Sequence, residues 1–266
     1  MITISCLGSY GRLGNQMFQY ATGYAMARKH NTTLHIPQTD IYGSTTGNQL
    51  VQTFELPYAT IGDVPPANIY YNEPSFSFNS QVLNLPNNTD IRGYFQCERY
   101  FSDLRSNIVQ NEFKFKGSIV KQSDYLVEKI KYEHKVDEIC SVHVRLGDYI
   151  KLANIHNNLS LNYYEQAMQE MPSDVLGLVF SDDIKLAEKM IKKTNIKQKM
   201  LYVNESYDIS LHLMAISDYH VIANSSFSWW GAWLSDSKKV VAPKNWFGPE
   251  GPKFWNDIYC DRWTVL

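Results

Sequence analysis

Residues 139–149, ICSVHVRLGDY, decide the fold class. Positions 139–145 form an apolar strand that ends on His143 and Arg145. Beyond it the pattern alternates between helix and strand. Helical periods cover about 161–170, 183–193, 208–216 and 227–234, and strands fall at 176–180, 200–203, 220–223 and 240–242. Alternation with short connections predicts a parallel sheet covered by helices on both faces. Upstream, residues 2–6 (ITISC) read as a strand, and Gly8, Gly11 and Gly14 follow it. Residues 15–28 are helical, with Met17, Tyr20, Tyr24 and Ala27 recurring at spacings of three and four. A second strand at 33–36 stops at Pro37, so the chain opens as a β-α-β unit. Residues 38–90 are rich in Asn, Pro, Ser and Gly and predict irregular structure with short elements only. Two more helices are expected at 99–113 and 124–133. The change of pattern near residue 137 divides the chain into domains 1–137 and 138–266, with no internal repeat.

Composition narrows the function. A chain of 266 residues has room for one large domain or two small ones. With 44% hydrophobic and 20% charged residues it is not a disordered chain. The 25 basic residues face 27 acidic ones, so the basic excess of a general nucleic-acid binder is missing. No apolar run is long enough to span a bilayer, and the opening MITISCLG lacks the pattern of a secretory leader. The expected compartment is the cytoplasm, with peripheral contact at the inner membrane surface. The lysine-rich run 184–199 reads either as a solvated amphipathic helix or as a weak attraction to an anionic surface. The four cysteines are far apart and contain no C-x-x-C pair, which argues against a zinc site or a disulfide framework.

Four segments carry chemistry. GSYGRLGNQ (8–16) lies between a strand and a helix, where backbone amides suit an anion, although a purely structural turn reads as well. Its glycine spacing is not that of a dinucleotide fold and no Walker lysine follows, which counts against a nicotinamide-dependent oxidoreductase. In HVRLGDY (143–149) two side chains two apart on a strand end share one face. There Arg145 suits a pyrophosphate, because its planar fork binds two oxygens at once. A surface ion pair with Asp148 is the competing reading. FSDD (180–183) can cap the next helix, accept hydrogen bonds from a purine, or offer a carboxylate pair to a metal. In NSSFSWWGAWL (224–234) hydroxyls and amides gather at a helix start, again a phosphate site. Trp229, Trp230 and Trp233 fit core packing better than sugar stacking.

Together these segments resemble the α-1,2-fucosyltransferases of glycosyltransferase family 11. GRLGNQMFQYA (11–21), GYFQCERYF (93–101), HVRLGDY, FSDD and NSSFSWWGAWL follow the family's blocks in order. Leu146 stands where the motif often has a second arginine, so only Arg145 carries over as the phosphate-binding guanidinium. The resemblance implies a GT-B architecture, two Rossmann-like domains with the active site in the cleft between them. It implies GDP-β-L-fucose as co-substrate, no metal or other cofactor, and a galactose-containing glycan acceptor such as an O-antigen or surface-polysaccharide precursor. Domain 138–266 would mainly hold the GDP-sugar and domain 1–137 mainly meet the acceptor. Donor contacts are expected from Gly14, Asn15 and Gln16, from His143 and Arg145, from Ser181 and Asp182, and from Asn224, Ser225, Ser226, Phe227 and Ser228. Catalytic roles are expected for His143, Arg145 and Asp148. Tyr94, Gln96 and Glu98 are expected on the acceptor side; the general base is Asp148 or Glu98, or the proton leaves through water with no dedicated base. Transfer of a related GDP-deoxysugar such as colitose is the alternative.

Overall fold

Both halves of the chain build parallel sheets. The computed structural model describes residues 1–38 and 47–266 and divides into two α/β units. One is Met1–Lys116 with Lys253–Cys260, the other Gly117–Pro252 with Asp261–Leu266.

The first unit contains β1 (Ile2–Thr3), α1 (Leu13–Lys29), β2 (Leu34–Pro37), α2 (Leu50–Thr53), β3 (Ala59–Gly62), β4 (Ile69–Asn72), β5 (Thr89–Arg92) and α3 (Arg105–Asn107). The strands are all parallel, in the order β3-β2-β1-β5-β4. The chain moves outward from β1 to β3 and returns on the other side, so its direction reverses between β1 and β5. From Leu13 to Ala27, α1 is buried on nearly every side. Its Gly23 lies against the sheet, where an added Cβ would come within 2.8 Å of Ile4 Cδ1. The missing side chain is what lets the helix approach so closely.

The second unit contains α4 (Gly117–His134), β6 (Ile139–Val144), α5 (Gly147–Lys151), α6 (Leu161–Gln169), β7 (Leu176–Ser181), α7 (Ile184–Ile191), β8 (Met200–Tyr202), α8 (Tyr207–Ala215), β9 (Tyr219–Val221), α9 (Ser226–Leu234), β10 (Lys239–Ala242) and β11 (Thr264–Val265). Its strands run parallel in the order β11-β10-β9-β6-β7-β8. Every residue of β6 is buried, as a central parallel strand covered on both faces requires. Here the reversal falls between β6 and β9. In such sheets ligands bind outside the carboxyl ends of the strands at this point. Trp229, Trp230 and Trp233 are wholly buried, and the Trp229 and Trp233 rings stack at 6.0 Å. They are core, as their spacing predicted.

Four expectations need revision. The single helix at 99–113 is replaced by 3-10 turns at Glu98–Tyr100 and Ser102–Leu104, the short α3, and a π-type turn at Ile108–Glu112. Tyr100, Phe101, Ile108 and Phe113 are all buried, and a regular 3.6-residue period would turn Phe113 away from the others. The wider π turn rotates it back. Helix α4 starts earlier than 124 and packs on α8, so the units part between Lys116 and Gly117 and not near residue 137. Residues 253–260 also return to the first unit, held there by the Arg99–Asp257 ion pair and by Phe78 N–H donating to Asp257 Oδ2 at 2.8 Å. The 38–90 region holds short elements as expected, yet it supplies two of the five strands of the first sheet and begins a third. Residues 39–46 of that region lie outside the described residues. Among the described residues no helix is long and apolar enough to cross a membrane.

Candidate active site

The carboxyl ends of β6 and β9 bring the second unit's expected residues together. His143 is the penultimate residue of β6, paired in register with Phe180. Its ring is buried, and its Nδ1 lies 2.9 Å from Ser228 Oγ in the first turn of α9. Burial, then the neighbouring Arg145 charge, lowers the His143 pKa to about 3. At neutral pH the imidazole is therefore uncharged, because its ionised form would be poorly solvated beside a guanidinium. Tyr164 braces the strand end by donating its hydroxyl to His143 O at 3.3 Å.

Arg145 is held by carboxylates on two sides. Its Nη1 lies 2.6 Å from Asp182 Oδ2, and its Nη2 bonds Asp148 Oδ1. Asp182 also accepts the Leu146 backbone N–H at 2.9 Å. Gly147 leaves room for it: its φ is +24°, and an added Cβ would sit 2.1 Å from Asp182 Oδ2. The guanidinium lies over the Tyr149 ring at 4.8 Å, and His156 stacks on Tyr149 at 4.0 Å. Tyr149 donates to Asn224 O at 3.2 Å, which ties the arginine loop to the loop after β9. Burial first pushes the Tyr149 hydroxyl up to about 12, so it remains a proton donor. The sequence flagged Arg145 and Asp148 but missed Gly147, Tyr149 and His156 as its supports. The glycine–aspartate–tyrosine run was the available signal for the first two.

Several expected donor contacts are committed to the protein itself. Asn224 directs its amide to Asn157 O at 2.8 Å and Trp246 O at 2.7 Å, so it shapes the loop and has no side-chain donor left for a ligand. Ser225 caps α9, its Oγ accepting from Phe227 N at 3.4 Å. Ser181 Oγ accepts from Asp183 N at 3.1 Å, and Asp183 caps α7 by accepting from Leu186 N at 3.0 Å. Asp182 supports Arg145, which is a different task from reading a purine. Ser226 and Phe227 stay half-buried at the helix start, and the Phe227 ring lies 6.0 Å from the His143 ring.

The first unit forms its own polar edge at the reversal between β1 and β5. Asp90 is buried and accepts from Thr3 Oγ1, Ser5 N and Ser5 Oγ, each at 2.8 Å, and from Arg92 Nε at 2.8 Å. Gln16 is fully buried; it donates to Gly47 O at 2.9 Å and accepts from Gln49 N at 2.8 Å. It therefore braces the α1 start and does not face a ligand. Leu13 N donates to Gln49 Oε1 at 2.7 Å and Asn15 N to Arg12 O at 2.9 Å. Of the loop amides named around Gly14, that of Asn15 is already bonded. Gln96 Nε2 donates to Asn15 Oδ1 at 2.9 Å, which joins the GRLGNQ and GYFQCERYF segments. Tyr94 packs between Tyr10 at 5.8 Å and Phe76 at 5.3 Å. Glu73, which nothing in the sequence singled out, accepts from Tyr94 N at 2.6 Å and Phe95 N at 3.0 Å. Desolvation raises its pKa all the same. Glu98 opens a 3-10 turn and is half-buried.

Among the described residues no group of three or more His, Cys, Asp or Glu side chains is placed to hold a metal ion. A sequence profile of glycosyl transferase family 11 matches residues 76–266. The chain belongs to glycosyltransferase family 11. Within reach of this family member is the α-1,2-colitosyltransferase of Escherichia coli, 29% identical over 90% of this chain and 91% of that one. The O-antigen biosynthesis glycosyltransferase WbnK of Escherichia coli is 28% identical over 98% of this chain and 99% of its own length. Among solved structures, the fucosyltransferase NodZ from Bradyrhizobium, co-crystallised with GDP, covers 88% of this chain and 92% of its own. Its TM-score is 0.55 at 16% identity, so the likeness is one of fold. The family 11 chain thus has the two-sheet α/β fold of GT-B type that its sequence implied.

Proposed function

We propose that this family 11 chain moves L-fucose from GDP-β-L-fucose to the 2-hydroxyl of a galactose in a surface-polysaccharide precursor. The observation that carries the reading is the meeting of His143, Arg145 and the α9 start at one sheet reversal. Attack from the face opposite GDP converts a β donor into an α product. The transition state is oxocarbenium-like, and negative charge grows on the departing β-phosphate. Arg145 presents a planar fork to that charge, and the α9 N-terminus adds its dipole. In the tautomer in which His143 Nδ1 accepts from Ser228 Oγ, the other ring nitrogen carries the hydrogen and can donate to a phosphate or to the sugar. These fixed donors take the place of a metal in the reading. The proton of the acceptor hydroxyl goes to Asp148 or Glu98. The setting is the cytoplasm, at the inner membrane surface.

Transfer of colitose from its GDP form is the second reading, favoured by the resemblance to the α-1,2-colitosyltransferase. Equal concentrations of GDP-fucose and GDP-colitose offered with galactosides, with the products assigned by NMR, decide between the two sugars. Arg145→Ala should lower turnover at least about 100-fold, the scale of one charge-stabilising donor. Near-parental turnover by that variant overturns the role given to Arg145.

A further inference from the structure

Resting on the GDP-sugar reading above, we infer that Asp148 stands in for the donor's phosphate. It holds one edge of Arg145 until a diphosphate displaces it, while Asp182 holds the other edge throughout. The two carboxylates differ in how firmly they are fixed. Asp182 is 22% exposed, accepts from Leu146 N at 2.9 Å, contacts Arg145 at 2.6 Å, and lies against Gly147 where no side chain intervenes. Asp148 is 50% exposed, and among the described residues its carboxylate bonds Arg145 alone. One guanidinium shared by two carboxylates leaves a local charge of minus one, which repels a diphosphate. Releasing Asp182 would orphan a backbone N–H; releasing Asp148 returns a half-exposed carboxylate to water at little cost. Incoming phosphate therefore exchanges with Asp148. The freed Nη2 edge and the Asp182-anchored Nη1 edge then keep the guanidinium in one plane over Tyr149. Such an exchange preserves the orientation of Arg145 when no ligand is bound, and it weakens the hold on the GDP product.

The test is calorimetric titration of GDP into the parent and into Asp148→Asn, Asp148→Ala, Asp182→Asn and Arg145→Ala. Both Asp148 variants should bind GDP about 3- to 10-fold more tightly, the range of a lost exposed ion pair plus one removed like charge. Asp182→Asn should bind it at least about 10-fold more weakly, because Arg145 loses its anchor. The sign is the readout, since a loosened loop would only weaken binding, and thermal melts check that each variant is folded. Unchanged or weaker GDP binding by folded Asp148 variants, with Arg145→Ala still impaired, overturns the exchange and leaves the donor reading standing. Parental GDP affinity in Arg145→Ala removes the donor reading itself, and the exchange with it.

Discussion

Gly147→Ala adds one methyl group and no charge, yet it should disable Arg145. Gly147 has a φ of +24°, and a Cβ built there lies 2.1 Å from Asp182 Oδ2. The backbone strain of alanine in the left-handed region costs about 1 kcal/mol. The Asp182 carboxylate must also swing away, and it then loses the Leu146 N–H and the Arg145 Nη1 that it now holds. A hydrogen bond to a charged group is worth about 1.5–3 kcal/mol. Strain plus one such bond already comes to about 3 kcal/mol, so the melting temperature should fall by at least about 6 °C in a domain of this size. The effect on catalysis should be larger in proportion, at least about 100-fold in kcat/KM, because a misaligned guanidinium no longer meets the leaving phosphate. Initial rates of GDP release from GDP-fucose with a galactoside acceptor, run beside thermal melts, give both numbers. A variant that melts with the parent and turns over at the parental rate refutes the claim that Asp182 positions Arg145.

Two further outcomes follow from the same unit. Asn224→Ala should be destabilised by about 2–5 kcal/mol in urea melts, because it strips the hydrogen-bond donor from the Asn157 and Trp246 carbonyls; parental stability would mean that its amide serves a ligand and not the loop. His143 and His220 are each lowered to about 3, chiefly by burial, so below the ordinary histidine value of about 6.5 the unfolded chain takes up protons that the folded chain refuses. Stability is therefore fully present above pH ~6.5 and should fall as the pH drops toward 3, by up to about 1.4 kcal/mol per pH unit for each histidine; a melting temperature that stays flat from pH 7.5 to 4.5 would count against neutral, buried imidazoles.

Five of the six strands of the second sheet were legible, because the central ones are covered on both faces and so read as continuous apolar runs; the two-residue edge strand β11 left no such signal. Fully buried β6 is the clearest case. The first sheet was half legible. β1, α1 and β2 carry strong patterns, whereas β3 and β4 are largely solvent-facing and leave little apolar signal. The helix expected at 99–113 failed for a tertiary reason: Phe113 is buried against Tyr20 and Phe54, Phe101 against Phe18 and Tyr100 against Phe78, partners that no local helical period reports.

In the candidate site, sequence alone determined which side chains stand at the strand and helix ends. A strand end with His143 and Arg145, a helix start rich in serine, and five blocks in family order need no coordinates, because strand and helix periods place those side chains locally. Tertiary structure decided what each group is free to do. Asp182 meets Arg145 across neighbouring strands, Asn224 is bound to carbonyls at Asn157 and Trp246, and Gln96 reaches Asn15 across the first unit. Those pairings join residues far apart in the chain. They depend on strand order and loop path, and no local spacing encodes either.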